Sequence, residues 1–233
     1  CAHALKGVGK NLQDHVGGFV QHRCTKPITY YNMTRPLKLM AAVLQYVLTR
    51  SGPLAIFPMN TMAFLKSDPA LERPDIQYYL LPAAMNPNGS EDHFPKFHGY
   101  NIHWCGLRPD STGHVGLRSP DPYDAPVVVH NYLTAKSDQA LNRYAFRLAR
   151  KLHAQTAFDE FRGEELDPGP TCYSDDEIDS YMSRFISSHY HPVGTCKMGT
   201  DDMAVVDPAL RVHGLNGLRV IDASIMPRLV GAN

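Results

Sequence analysis

The stretch that decides how this chain is read is Ser188-His189-Tyr190-His191-Pro192-Val193-Gly194-Thr195-Cys196-Lys197-Met198-Gly199. It gathers two histidines, a cysteine and two glycines directly behind a segment with helical spacing, and three chemistries compete for it. Zinc takes four protein ligands in a structural site, or three and a water in a catalytic one, and His189, His191 and Cys196 are all ligand types. Against that, Pro192 and Gly194 turn the chain ahead of Cys196, and no CxxC or HxxxH elsewhere completes a set. A cysteine nucleophile with His191 as its base needs a depressed thiol pKa, and the sequence supplies no orienting third group. The third chemistry is a single working histidine. Pro192 holds His191 extended, Gly194 lets another group approach the main chain, and an imidazole that titrates near neutrality suits removal of a hydroxyl proton. Beside these stands a purely structural role, in which His189 caps the preceding helix and Cys196 is a small buried hydrophobe.

Upstream, Ser174-Asp175-Asp176-Glu177 is a capping box, in which serine and glutamate satisfy each other's free amides. Ile178, Tyr181, Met182, Phe185 and Ile186 then mark a buried helical stripe. A second helix is predicted over 137–154 from Leu141, Tyr144, Ala145, Leu148 and Leu152, with Arg147, Arg150 and Lys151 on its wet side. Another begins at Pro36, runs through Leu37, Met40, Ala41, Leu44 and Leu48, and ends at Gly52-Pro53. Strands are expected over 16–22, 76–81, 100–107 and 127–129. Residues 100–107 are expected to form an antiparallel hairpin with 114–118 through Pro109-Asp110-Ser111-Thr112-Gly113. Gly7-Val8-Gly9 opens a crossing segment. Short strands follow at 204–207, 210–212 and 218–224, and the last, ending in Asp222-Ala223-Ser224, has the form of a buried strand whose carboxyl end delivers polar groups to a ligand.

A chain of 233 residues that is 43% hydrophobic and 20% charged can bury one large core or two small ones. Its 23 basic and 23 acidic side chains cancel, so nothing draws it to nucleic acid or an anionic membrane, and a small molecule is the expected partner. No apolar run reaches the roughly 18 residues of a spanning helix, so a soluble, cytoplasmic protein is expected, at most peripheral to the inner membrane. Five unevenly spaced cysteines suggest free thiols in a reducing compartment, whereas the sequons Asn32-Met33-Thr34 and Asn88-Gly89-Ser90 point weakly the other way. The chain opens at Cys1 without methionine and closes at Asn233, so a piece of a longer polypeptide is expected, with any amino-terminal signal out of view.

Several long blocks, in order and in register, resemble the glucose-methanol-choline (GMC) oxidoreductases. They are Gly7-Val8-Gly9-Lys10-Asn11-Leu12-Gln13-Asp14-His15, then Tyr190-His191-Pro192-Val193-Gly194-Thr195-Cys196-Lys197-Met198-Gly199, then Val205-Val206-Asp207-Pro208 and Arg211-Val212-His213-Gly214. Gly217-Leu218-Arg219-Val220-Ile221-Asp222-Ala223-Ser224-Ile225-Met226-Pro227 completes the series, and Pro74-Asp75-Ile76-Gln77-Tyr78 and Gly113-His114-Val115 in the middle are also similar. The resemblance implies an α/β fold: an α+β substrate domain built on an antiparallel sheet with helices, plus the closing segment of a Rossmann-like FAD domain. Residues 1–20 would cross from the FAD domain, 21–188 would form the substrate-binding domain, and 189–233 would return to the FAD domain. The family's Gly-x-Gly-x-x-Gly fingerprint is absent from this sequence, and the fragment alone is expected to bind FAD poorly and to be inactive.

What the resemblance implies for function is an FAD-dependent alcohol dehydrogenase or oxidase, with a small alcohol as substrate and a quinone, oxygen or another acceptor for the electrons. His191 would be the general base and Asn233 the second group at the substrate oxygen. Asp222, Ala223 and Asn11 would contact FAD, and no metal is expected. In the choline dehydrogenase-like branch a glutamate suits the quaternary ammonium. Here Asn60 stands in its place, ahead of Met62 and Phe64, which would line an apolar pocket for a neutral primary alcohol. The family also holds flavin-dependent lyases and a photodecarboxylase, and a non-redox member of the fold is the alternative.

Overall fold

In the computed structural model, which describes residues 3–56, 58–59, 61–86 and 95–231, the chain forms two compact units. One comprises Gly17–Cys105 and Asn142–Ser187, the other Cys1–Val16, Gly106–Leu141 and Ser188–Asn233. Residues 106–141, which the sequence reading leaves inside 21–188, thus group with the two chain ends.

The first of these units is built on an antiparallel sheet with helices, as expected. Strands β2 (Phe19–Cys24), β3 (Thr61–Leu65), β4 (Ile76–Leu81), β5 (Gly99–Gly106) and β8 (Arg162–Asp167) run in the order β3-β4-β5-β2-β8. Phe19 faces His103 and Arg23 faces Gly99 across the β2/β5 ladder, while Thr61 faces Leu80 across β3/β4. Val20, Ile76, Trp104, Phe146, Ile178 and Met182 are almost wholly buried and form the core.

Helix α3 (Asp175–Phe185) starts at the predicted capping box: Ser174 Oγ accepts the Glu177 amide, and the Glu177 carboxylate accepts the Ser174 amide at 2.8 Å. Ile178, Tyr181 and Met182 are its buried stripe. Helix α2 (Lys136–His153) lies where its periodicity puts it, but its buried face is rotated. Asn142, Ala145, Phe146, Ala149 and His153 face inward, whereas Tyr144 is exposed. Polar groups can occupy that face because each finds a specific partner. Asn142 accepts the Trp104 indole N–H at 3.0 Å, and His153 Nε2 donates to the Val20 carbonyl at 3.0 Å. Arg150 is not on a wet side either. It pairs with the half-buried Glu165 and lies over the rings of Phe146 and Tyr173.

Helix α1 (Pro36–Thr49) has proline at its start as predicted, but its left-handed stop falls at Arg50 (φ 52°), ahead of Gly52. Ala42 is its single buried residue, and Leu37, Met40, Leu44, Val47 and Leu48 are exposed. Among the described residues no helix is long and apolar enough to cross a membrane.

The expected hairpin of 100–107 with 114–118 does not form. Both edges of β5 are taken, by β4 on one side and by β2 and Val16 of β1 (Val16–Gly17) on the other. Strand β6 (His114–Gly116) pairs instead with β7 (Val127–Val129), His114 opposite Val129. The predicted strand over 218–224 is also corrected. Leu218 and Ile221 are exposed, only an isolated bridge joins Arg211 to Arg219, and Ala223–Ile225 is one turn of 3-10 helix. Val220, between Leu218 and Ile221, is half-buried against the small core of Val205, Val206 and Val212. Among the described residues Cys24, Cys105, Cys172 and Cys196 form no disulfide, and the first three are buried. The second sequon, 88–90, lies outside the described residues.

Candidate active site

The two blocks that carry the family resemblance are partners in space. Residues 9–15 run antiparallel to 189–195: the Gly9 amide donates to Thr195 O, Gln13 and Val193 exchange amide bonds at 3.1 and 2.8 Å, and the His189 amide donates to His15 O at 2.8 Å. The other edge of 9–13 is bonded to Gly113 and Val115. These approaches are close enough to require glycine. A Cβ at Gly9 would sit 2.0 Å from Val115 O, and one at Gly194, where φ is +93°, would sit 2.2 Å from Asn11 O.

Tyr190, His191 and Pro192 bulge from this ribbon, and Asp14 holds the bulge. Its Oδ1 accepts the His191 amide at 2.9 Å, and its Oδ2 accepts the hydroxyls of Tyr132, at 2.9 Å, and of Ser188. Ser188 Oγ in turn accepts the Tyr190 amide, and Tyr190 takes a left-handed turn at φ 65°. Burial, then the Asp14 carboxylate, pushes the Tyr132 phenol far up, so it stays a donor. Asp14 is buried and His191 exposed.

Three histidines converge here. His15 Nδ1 and His191 Nδ1 stand 3.2 Å apart, their rings edge to face at 89°, and His15 Nε2 donates to the Val230 carbonyl at 3.1 Å. Burial, then the neighbouring His191, lowers the pKa of His15. Burial, then His15 and His191, pushes His189 down to about 4. Among the described residues, no group of three His, Cys, Asp or Glu side chains is placed to hold a metal ion. Cys196 packs against the small core of Val205, Val206 and Val212, the structural role weighed for it from the sequence.

Asp222 and Ala223 are tied to the same ribbon. The amides of Cys196 and Met198 donate to Ser224 O and Ile225 O, each at 2.8 Å, and the Asp222 carboxylate caps its turn by accepting the Ser224 amide. The Ser224 hydroxyl, then that amide, lowers the Asp222 pKa. Asn11, also left-handed at φ 60°, donates its side-chain amide to Pro227 O at 3.1 Å and Gly194 O at 3.4 Å, clamping the histidine loop to the Asp222 block. Met62 and Phe64 belong to the other unit, side by side on one face of β3 and about half exposed. Asn233 and Asn60 lie outside the described residues. Sequence reasoning assigned no role to His15, Asp14 or Tyr132. Asp14 and His15 sit in the quoted opening block, but nothing local in the sequence announces a contact with residues so distant along the chain.

The sequence pattern of the GMC oxidoreductases matches residues 109–233. Over 229 residues the chain is 42% identical to the oxygen-dependent choline dehydrogenase of Brucella ovis, which covers 97% of this chain and 41% of that protein. Pyridoxine 4-oxidase from Mesorbium loti superposes with a TM-score of 0.80 at 29% identity, over 100% of this chain and 41% of its own. Formate oxidase of Aspergillus oryzae RIB40 does so with a TM-score of 0.84 at 25% identity, over 97% of this chain and 44% of its own. This chain belongs to the GMC oxidoreductase family. It spans 41% of the length of the curated relative from Brucella ovis.

Proposed function

We propose that the protein of which this chain is part is an FAD-dependent oxidoreductase that converts the CH–OH group of a small neutral primary alcohol to an aldehyde, with His191 as general base. The observation that carries the reading is the exposed imidazole of His191, its main chain fixed by Asp14 and its ring met by His15.

Asp222, Ala223 and Asn11 fit one wall of a flavin site. Asp222 and Ala223 are exposed, and the loop around them is pinned to the loop that carries His191. When bound, FAD would supply the acceptor for the hydride of the carbinol carbon and the route for its electrons to a quinone, oxygen or another acceptor. His191 takes the hydroxyl proton, and the electron pair freed on oxygen forms the carbonyl as the hydride departs. Asn233 would be the second group at that oxygen, helping to hold the carbon in line. Residues 1–16 and 189–233 would act as flavin-domain segments, and 21–105 with 142–187 as the substrate domain. Asn60, Met62 and Phe64 would be the residues of the substrate domain that meet the alcohol. The Brucella relative is named for choline, a cationic alcohol; Asn60 offers such a cation no counter-charge, which favours a neutral substrate.

The test is an absorbance spectrum of the full-length flavoprotein under nitrogen, in the dark, before and after adding a medium-chain primary alcohol. The flavin band is expected to fade. A protein without flavin, or a flavin that stays oxidised until illuminated, contradicts the reading.

A further inference from the structure

We propose that His15 is a positioning residue that sets the tautomer of His191, keeping a proton on His191 Nδ1 so that Nε2 presents a bare lone pair to substrate. The catalytic consequence rests on the reading of His191 as the base; the tautomer rests on the hydrogen bonds and the burial of His15.

A carbonyl oxygen accepts and never donates, so the contact of His15 Nε2 with Val230 O places the His15 proton on Nε2. His15 does not take a second proton. It is 1% exposed, and its burial and the facing His191 outweigh the upward pull of the Leu107 and Val230 carbonyls and the Asp14 carboxylate. His189, the remaining titratable neighbour, is itself held neutral by burial. A neutral imidazole protonated at Nε2 has its one lone pair at Nδ1. The 3.2 Å contact is therefore a hydrogen bond only when His191 Nδ1 donates.

His191, neutral, is then bare at Nε2, which meets no partner among the described residues. Once Nε2 takes a proton, Nδ1–H keeps its acceptor, and the bond strengthens as its donor becomes cationic. His15 thus does for His191 what an orienting carboxylate does for the histidine of a catalytic triad, without placing a charge beside it.

Two substitutions separate this role from packing. In His15→Asn the side-chain oxygen takes the place of Nδ1 and still accepts from His191. In His15→Gln the amide nitrogen takes the place of Nε2 and keeps the bond to Val230, but the acceptor facing His191 is gone. Nitrogen-15 NMR of the full-length flavoprotein with ring-labelled histidine, assigned by the signals lost in His191→Gln, should show His191 protonated at Nδ1. That state should persist in His15→Asn and shift toward Nε2–H in His15→Gln. Flavin reduction by alcohol should slow about 100-fold in His15→Gln and stay within about 10-fold of wild type in His15→Asn, with alcohol affinity little changed in both. A wild-type His191 protonated at Nε2, or equal losses of rate in the two variants, overturns the proposal. If His191→Gln reduces its flavin at the wild-type rate, the base reading fails instead, while the tautomer is still decided by the spectra.

Discussion

Asp14 accepts the main-chain amide of His191 at 2.9 Å across 177 positions of sequence, and the same carboxylate accepts two hydroxyls on its other oxygen. A buried acceptor with three donors fixes where the His191 backbone lies, and the neighbouring His15 fixes where its ring points. One short segment, Asp14-His15, therefore supports both coordinates of the proposed base.

Asp14→Asn preserves size but replaces one acceptor oxygen with an amide group that only donates. Either the His191 amide or the two hydroxyls then face a donor. The full-length protein is expected to lose about 1–3 kcal/mol of stability in urea unfolding, and flavin reduction is expected to slow as the His191 loop shifts. An unchanged midpoint together with an unchanged rate would show that the carboxylate does not organise the loop.

Acid should weaken the fold through its buried histidines. Burial, then His22, pushes the pKa of His153 down to about 3, and burial pushes His189 to about 4, both below the 6.5 of an unperturbed imidazole. Between those values the unfolded chain binds protons that the native chain excludes. Stability from these groups is whole above pH 6.5, falls as the pH drops, and is gone once the folded pKa values are passed. Unfolding free energy measured from pH 7 to pH 4 should decline, and His153→Gln should flatten the decline. A slope identical in wild type and variant would contradict the assignment.

Local signals were legible in the sequence and long-range ones were not. The Ser174–Glu177 box and the positions of α1 and α2 follow from residues within a few turns of each other, and the structure agrees with them. The inward face of α2 does not, because Asn142 and His153 are buried by virtue of partners, Trp104 and Val20, far away along the chain. The same holds for β6, whose hairpin with β5 is prevented by strands already on that strand's edges. At the site, Pro192 and Gly194 mark His191 as a presented side chain, but its link to His15 spans 176 positions without a periodicity to announce it.

The most direct test of the account is the rate at which a primary alcohol reduces the flavin of the full-length His191→Ala protein, followed anaerobically by stopped flow. The account predicts bound flavin with an ordinary oxidised spectrum and reduction slower by about 100-fold to 10,000-fold. Flavin reduction at the wild-type rate would contradict it.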